Sequence, residues 1–242
     1  MPIHTPQDEP PLSDQRRTEV RRQSLSVGVA TSAYAISFGA LAVAAGFDLW
    51  QTIALSALLF SGASQFAIVG IVAAGGSGAA AVTTSTLLGM RNGLYGLQVS
   101  RLLGVSGLRR VAAAQLTIDE STAVAVAQPE RPAQRLGFWG TGLAVYALWN
   151  LMTIVGAVAG NALGDPRRFG LDAAAPAAFC ALLWPRLKSG EVRAVAAVSA
   201  VIALVVAPHA PAGIPVLVAA AAAVLAGLLP RRTRDDQAGG RR

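Results

Sequence analysis

From Leu25 to Met90 the chain carries a single side chain that is charged at neutral pH, Asp48; from Leu136 to Gly164 it carries none, and from Ala194 to Leu229 only His209 ionises near neutrality. Uncharged windows of this length constrain the fold more than any motif does. A helix needs about 20 mainly apolar residues to cross the hydrocarbon core of a bilayer, and each window holds at least one such segment. Charged residues make up 14% of the chain against 53% hydrophobic, where a soluble domain carries roughly 25% charged. The apolar runs are continuous and lack the period-two alternation of a membrane barrel. The pattern predicts an all-α, polytopic transmembrane helix bundle.

The net charge of +7 does not point to nucleic acid. Arg16, Arg17, Arg21 and Arg22 precede the first apolar run, and Arg231, Arg232, Arg234, Arg241 and Arg242 follow the last. Basic flanks of this kind mark the cytoplasmic side of membrane segments. Residues 1–23 are therefore expected to be a disordered cytoplasmic tail, 24–230 the membrane domain, and 231–242 a second basic tail. The run after residue 24 exceeds the roughly 7–15 apolar residues of a signal peptide and predicts a retained helix. The lone Cys180 allows no internal disulfide.

Apolar content and breakers predict segments at 25–45, 49–74, 79–99, 111–127, 136–163, 171–187, 192–207 and 214–229. Eight crossings put both arginine-rich tails on one side, but they place Arg101, Arg109 and Arg110 on the other, against the charge rule. Seven or eight segments are expected, with one that fails to cross or re-enters. An internal echo accompanies them: "SFGALAVAAG" (37–46) resembles "IVGAVAGNALG" (154–164). Each precedes a stretch in which small residues lead to a phenylalanine, "SGASQFA" (61–67) and "DAAAPAAFC" (172–180). Transporters are often built from two such repeats with the solute between them.

Three polar constellations interrupt the apolar segments. In "SGASQFA", Gly62 and Ala63 suit close helix packing. Gln65 needs partners, because a primary amide in hydrocarbon costs several kcal/mol (~2–7) when unpaired. A helix broken at Ser61, Gly62, Ala63, Ser64 and Gln65 accounts for both, since a half-helix N-terminus presents N–H groups to a carboxylate. Pro176, which lacks a backbone donor, predicts a matching break at 175–177. In "GMRNGLYG", Arg91 lies deep in its segment, where insertion costs about 2.5–3.5 kcal/mol without a partner; Asn92 and Gly93 favour a bend. In "LTIDEST", Asp119 and Glu120 point about 100° apart on a helix, so one is expected to meet Arg91 and the other water or a solute path. The alternative is an interfacial helix with both acids solvated.

No GxSxG, HExxH or CxxC motif and no lysine-bearing phosphate loop occurs, so neither an enzyme, a metal site nor a cofactor is expected. "SFGALA", "SGASQFA", "RNGLYG", the Asp119-Glu120 pair and "GLDAAAPAAFCALLWPRL" (170–187), in this order and spacing, resemble the AzlC family over residues 24–229. The resemblance implies the larger subunit of a two-component exporter of valine, leucine or isoleucine in the cell (inner) membrane, driven by the proton gradient. It also implies a small hydrophobic AzlD-type partner. The family usually has Arg-His where this chain has Arg91-Asn92, so the resemblance moves proton handling onto Asp119 and Glu120. Ser61 to Gln65, Arg91, Asn92 and Pro176 then become candidate substrate-binding residues. The competing readings are an assembly subunit that transports nothing, and an exporter of another small solute.

Overall fold

A computed structural model describes residues 11–163, 180, 183–184 and 187–228. All regular structure among them is helical. Helix α1 (Asp14–Ser32) begins well before residue 25, which corrects the boundary expected for the N-terminal tail. The cause is local. Ser13 Oγ accepts the Arg16 N–H at 3.2 Å as an N-cap, Asp14 sits in the first turn where the helix dipole favours a carboxylate, and Arg16 pairs with Glu19 one turn on. After a kink at Ala33 and Tyr34, α2 (Ala35–Ala44) completes the transit.

The segment 49–74 is two helices, α3 (Leu49–Leu58) and α4 (Gly62–Ala73), separated at Leu59, Phe60 and Ser61. The predicted break is present, starting two residues before "SGAS". By contrast α5 (Gly78–Leu103) is unbroken through Asn92 and Gly93, which corrects the expected bend. It ends at Gly104, whose φ of 60° is the left-handed C-cap that glycine adopts without a Cβ penalty. The segment 111–127 is again two pieces, α6 (Gly107–Gln115) and α7 (Asp119–Val126). Helix α8 (Arg131–Leu163) is the longest, and α9 (Gly190–Val206) and α10 (Ile214–Leu228) form a hairpin. Of the segment 171–187 only residues 180, 183–184 and 187 are described, and the break expected at Pro176 lies outside them.

Helix α8 is the spine, and small residues let α1 and α2 approach it closely. A Cβ at Gly39 would collide with the Thr153 carbonyl oxygen, and one at Gly156 with that of Ile36. One at Gly160 would stand 2.9 Å from the Ala40 Cα, and one at Gly28 2.8 Å from the Ala144 Cβ. Without a hydrophobic force between helices in lipid, backbone approach of this kind holds them together. The described parts of the two echoing stretches thus meet, 37–44 on α2 and 154–162 on α8.

Contacts at the helix ends settle the course of the chain. Arg16, at the start of α1, reaches Gln128 and Glu130 before α8, and Arg135 on α8 donates to the Leu102 carbonyl at the end of α5. The starts of α1 and α8 and the end of α5 therefore share one end of the bundle. Ser56 donates to Thr153 and Tyr146 to the Ala57 carbonyl, so α3 runs antiparallel to α8 and stops at mid-height. Ser64 donates to the Ser85 carbonyl, whereas Ile71 and Ala80 share a core cluster, so α4 returns along α5 to the end from which α3 came. Likewise Leu116 lies against Gly142 and Val124 against Gly137, so α6 and α7 form a second hairpin that enters from the opposite end. This overturns the reading of 49–74 and 111–127 as crossings. It also removes the charge contradiction, because Arg101, Arg109 and Arg110 now share an end with Arg16.

Candidate functional site

The tips of the two hairpins meet at mid-height and line one small cavity of about 30 Å³, room for a water molecule in this conformation. Phe60, Ser61, Gly62 and Ala63 come from the first tip and Ile118, Asp119 and Glu120 from the second. The α1–α2 kink adds Thr31 and Tyr34, the middle of α5 adds Arg91 and Asn92, and the spine adds Val145 and Trp149. Three interruptions of regular helix converge here, where the backbone is freed to face polar surroundings.

The freed groups on the carbonyl side of the first break are satisfied by protein. Gln65 Nε2 donates to the Ser56 carbonyl at 3.2 Å, Gln115 Nε2 to that of Ala57 at 2.9 Å, and Tyr146 Oη to the same oxygen at 3.3 Å. The N–H side is treated differently. Ser61 makes no side-chain cap to α4; its hydroxyl donates instead to Ser64 Oγ, which donates to the Ser85 carbonyl. The first turn of α4 therefore opens toward the cavity with its dipole uncapped, an arrangement that attracts anions.

The second tip is self-contained. Ser121 Oγ donates to the Leu116 carbonyl at 2.6 Å and accepts the Ile118 N–H at 3.1 Å, and Thr117 Oγ1 donates to the Ala113 carbonyl. This presents Asp119 and Glu120 in the first turn of α7, where the dipole favours negative charge. Arg91 Nη1 meets Asp119 Oδ2 at 3.0 Å, tying the second tip to the middle of α5. Arg91 Nε and Asn92 Oδ1 are buried without a protein partner, which leaves hydrogen-bonding capacity at the cavity.

Among the predicted residues, Ser61, Gly62, Ala63, Arg91, Asn92, Asp119 and Glu120 stand on this one wall. Ser64 and Gln65 do not, which corrects the expectation that the whole of "SGASQ" faces the solute. Both are fully buried, and Gln65 Oε1 accepts the Trp149 Nε1–H at 2.9 Å. Pro176 is outside the described residues. Tyr34, Phe60, Val145 and Trp149 escaped sequence reasoning, since apolar and aromatic residues in an apolar helix carry no signal of their own. Among the described residues no cluster of metal-ligating side chains occurs.

The family described as AzlC protein matches residues 26–163, the stretch that builds every wall of the cavity. The chain is 30% identical to "Inner membrane protein YgaZ" of Escherichia coli (strain K12) over 167 residues, covering 66% of this chain and 68% of that protein. It is 33% identical to an "Uncharacterized membrane protein" of Archaeoglobus fulgidus over 162 residues, covering 66% and 71%. No solved structure matches.

Proposed function

The chain belongs to the AzlC family, and we propose that it is the large subunit of an inner-membrane secondary transporter that exports valine, leucine and isoleucine. The observation that carries this reading is the convergence of two oppositely directed half-helix hairpins on one cavity that holds an arginine, two carboxylates and apolar walls. A zwitterionic amino acid asks for those three things. Its carboxylate fits the uncapped N-terminus of α4 and the guanidinium of Arg91, which binds carboxylates through paired N–H donors. Its ammonium suits Glu120 or Asp119, and an aliphatic side chain suits the apolar faces of Phe60, Val145 and Trp149 once the hairpin tips part to widen the cavity.

Hairpins entering from opposite ends also suit alternating access. Withdrawal of one tip opens the cavity to its own side while the other tip keeps the far side closed, as in transporters with broken helices at the midplane. Export then proceeds with Asp119 and Glu120 as the proton-handling groups and with a small hydrophobic AzlD-type subunit as partner. The arginine-rich end of the bundle faces the cytoplasm by the charge rule.

The test is valine efflux from cells fed a valine-containing dipeptide. Loss of this chain is expected to slow the appearance of valine outside, and Arg91→Gln to do the same with the protein still present in the membrane. Equal efflux with and without the chain would sink the reading. If Arg91→Gln instead abolishes co-purification with the small subunit, the chain is an assembly subunit and its polar residues are glue.

A further inference from the structure

Trp149 joins several parts of the machinery around the cavity. Its indole N–H is held by Gln65 Oε1 at 2.9 Å. Its ring meets Tyr34 edge-on, with centroids 4.9 Å apart, and Tyr34 is the residue at the α1–α2 kink. Its far edge lies over Gly62, where a Cβ would stand 3.1 Å from Cη2. The residue is 2% exposed and still lines the cavity. One ring thus connects the kink of the first transit to the second half-helix, α4, of the α3–α4 hairpin.

Gln65 makes that position rigid. Its Nε2 is committed to the Ser56 carbonyl, freed by the break at the end of α3, so the carboxamide cannot flip without losing bonds on both sides. A buried amide with one end unpaired loses its hydration without a replacement bond. The donor end therefore dictates that the acceptor end faces Trp149.

We propose that Trp149 is the residue that sets the size limit of the transported side chain, that Gln65 is its positioning residue, and that Gly62 is glycine because the ring must lie against the first turn of α4. The proposal rests on the transport reading above and adds to it a wall of fixed place. With the carboxylate drawn to the N-terminus of α4, the solute's side chain extends along the ring that lies over the same turn. A ring locked at its N–H and braced edge-on by Tyr34 does not yield to a larger group. An aliphatic side chain packs on it, and an aromatic one meets it head-on. Discrimination by a single methylene in an apolar pocket amounts to roughly 10–200-fold, so displacement of the ring by a few tenths of an ångström falls within what transport assays detect.

The experiment measures efflux of valine, leucine and phenylalanine side by side from dipeptide-fed cells carrying the full chain and its membrane partner, with the amount of membrane-inserted protein followed in each case. Trp149→Phe shortens the wall and removes the anchored N–H; it is expected to raise the phenylalanine-to-valine ratio about tenfold. Gly62→Ala presses a methyl on the ring and is expected to shift the profile the other way, lowering leucine relative to valine. Gln65→Leu is expected to broaden the profile like Trp149→Phe, and Gln65→Glu, which keeps an acceptor for the indole, to restore the wild-type ratio more closely than Gln65→Leu does. If Trp149→Phe fails to insert, the single added methyl of Gly62→Ala decides alone. Unchanged ratios in inserted variants that still export valine overturn the proposal and leave the transport reading standing. Absence of export of all three amino acids by the wild-type chain overturns the transport reading itself.

Discussion

At the scale of single residues, the ion pair of Arg91 and Asp119 is the most consequential contact, because it ties the tip of the second hairpin to the middle of α5. The side chains are partly exposed, 30% for Arg91 and 18% for Asp119, so removing one partner costs less than the roughly 3–5 kcal/mol of a fully buried pair. Asp119→Asn is therefore expected to lower the thermal stability of the detergent-solubilised protein. The double variant Arg91→Gln/Asp119→Asn is expected to recover much of that stability without recovering efflux. Melting curves of the two single variants and the double variant form a cycle that checks this, and additive losses would show that the pair does not couple. Gln65→Leu should destabilise by about 1–3 kcal/mol, since it strands the Trp149 N–H and withdraws the donor from the Ser56 carbonyl. The same melting measurement reads it, with Gln115→Leu as a companion at the neighbouring Ala57 carbonyl.

At the scale of elements, the contact of α2 with α8 tolerates no added carbon on its seam. Gly156→Ala and Gly39→Ala each place a methyl into a backbone carbonyl of the facing helix, so the helices must separate along their length. Both are expected to reduce the amount of folded protein severely, whereas Gly70→Ala, with nothing within 4 Å of the new Cβ, should be neutral or slightly stabilising because alanine is favoured over glycine in a helix by about 1 kcal/mol. Fluorescence-detected size-exclusion profiles of the three variants compare them directly. The breaks themselves are element-scale features with local causes. At the α3–α4 break the carbonyl ends are met by side chains from α4, α6 and α8, while the N–H end is left for the cavity. At the α6–α7 break Thr117 and Ser121 do the work within the hairpin.

At the scale of the whole molecule, the two hairpins make the order of the chain through the membrane unlike a count of apolar segments. Residue 106 in the α5–α6 link is expected on the same side as residue 15, and residue 74 in the α4–α5 link on the opposite side. Single cysteines in a Cys180→Ser background test this: Gln15→Cys and Ser106→Cys should react with a membrane-impermeant maleimide from one face only, and Ala74→Cys from the other. Labelling of Ala74→Cys together with Gln15→Cys would show that 49–74 crosses after all. The loop between α9 and α10 touches the same end as residue 74, where a Cβ at Gly213 would lie 3.0 Å from the Ala80 Cβ, so Ala210→Cys belongs with that second group.

The sequence by itself determined that this chain lives in a membrane as helices, because charge is excluded from hydrocarbon and a backbone there must satisfy its own hydrogen bonds. It also marked Ser61 to Ala63, Arg91, Asn92, Asp119 and Glu120, since polar groups placed against that exclusion require a reason. It did not tell a hairpin from a crossing. A segment of about 20 apolar residues has the same composition whether it continues or turns back, and only its neighbours decide which. Nor did it separate Ser64 and Gln65 from the wall they stand behind, or raise Tyr34 and Trp149 above other aromatics. Those assignments depend on which side chains face one another across elements distant in the chain, and that is fixed by packing on α8, not by local pattern.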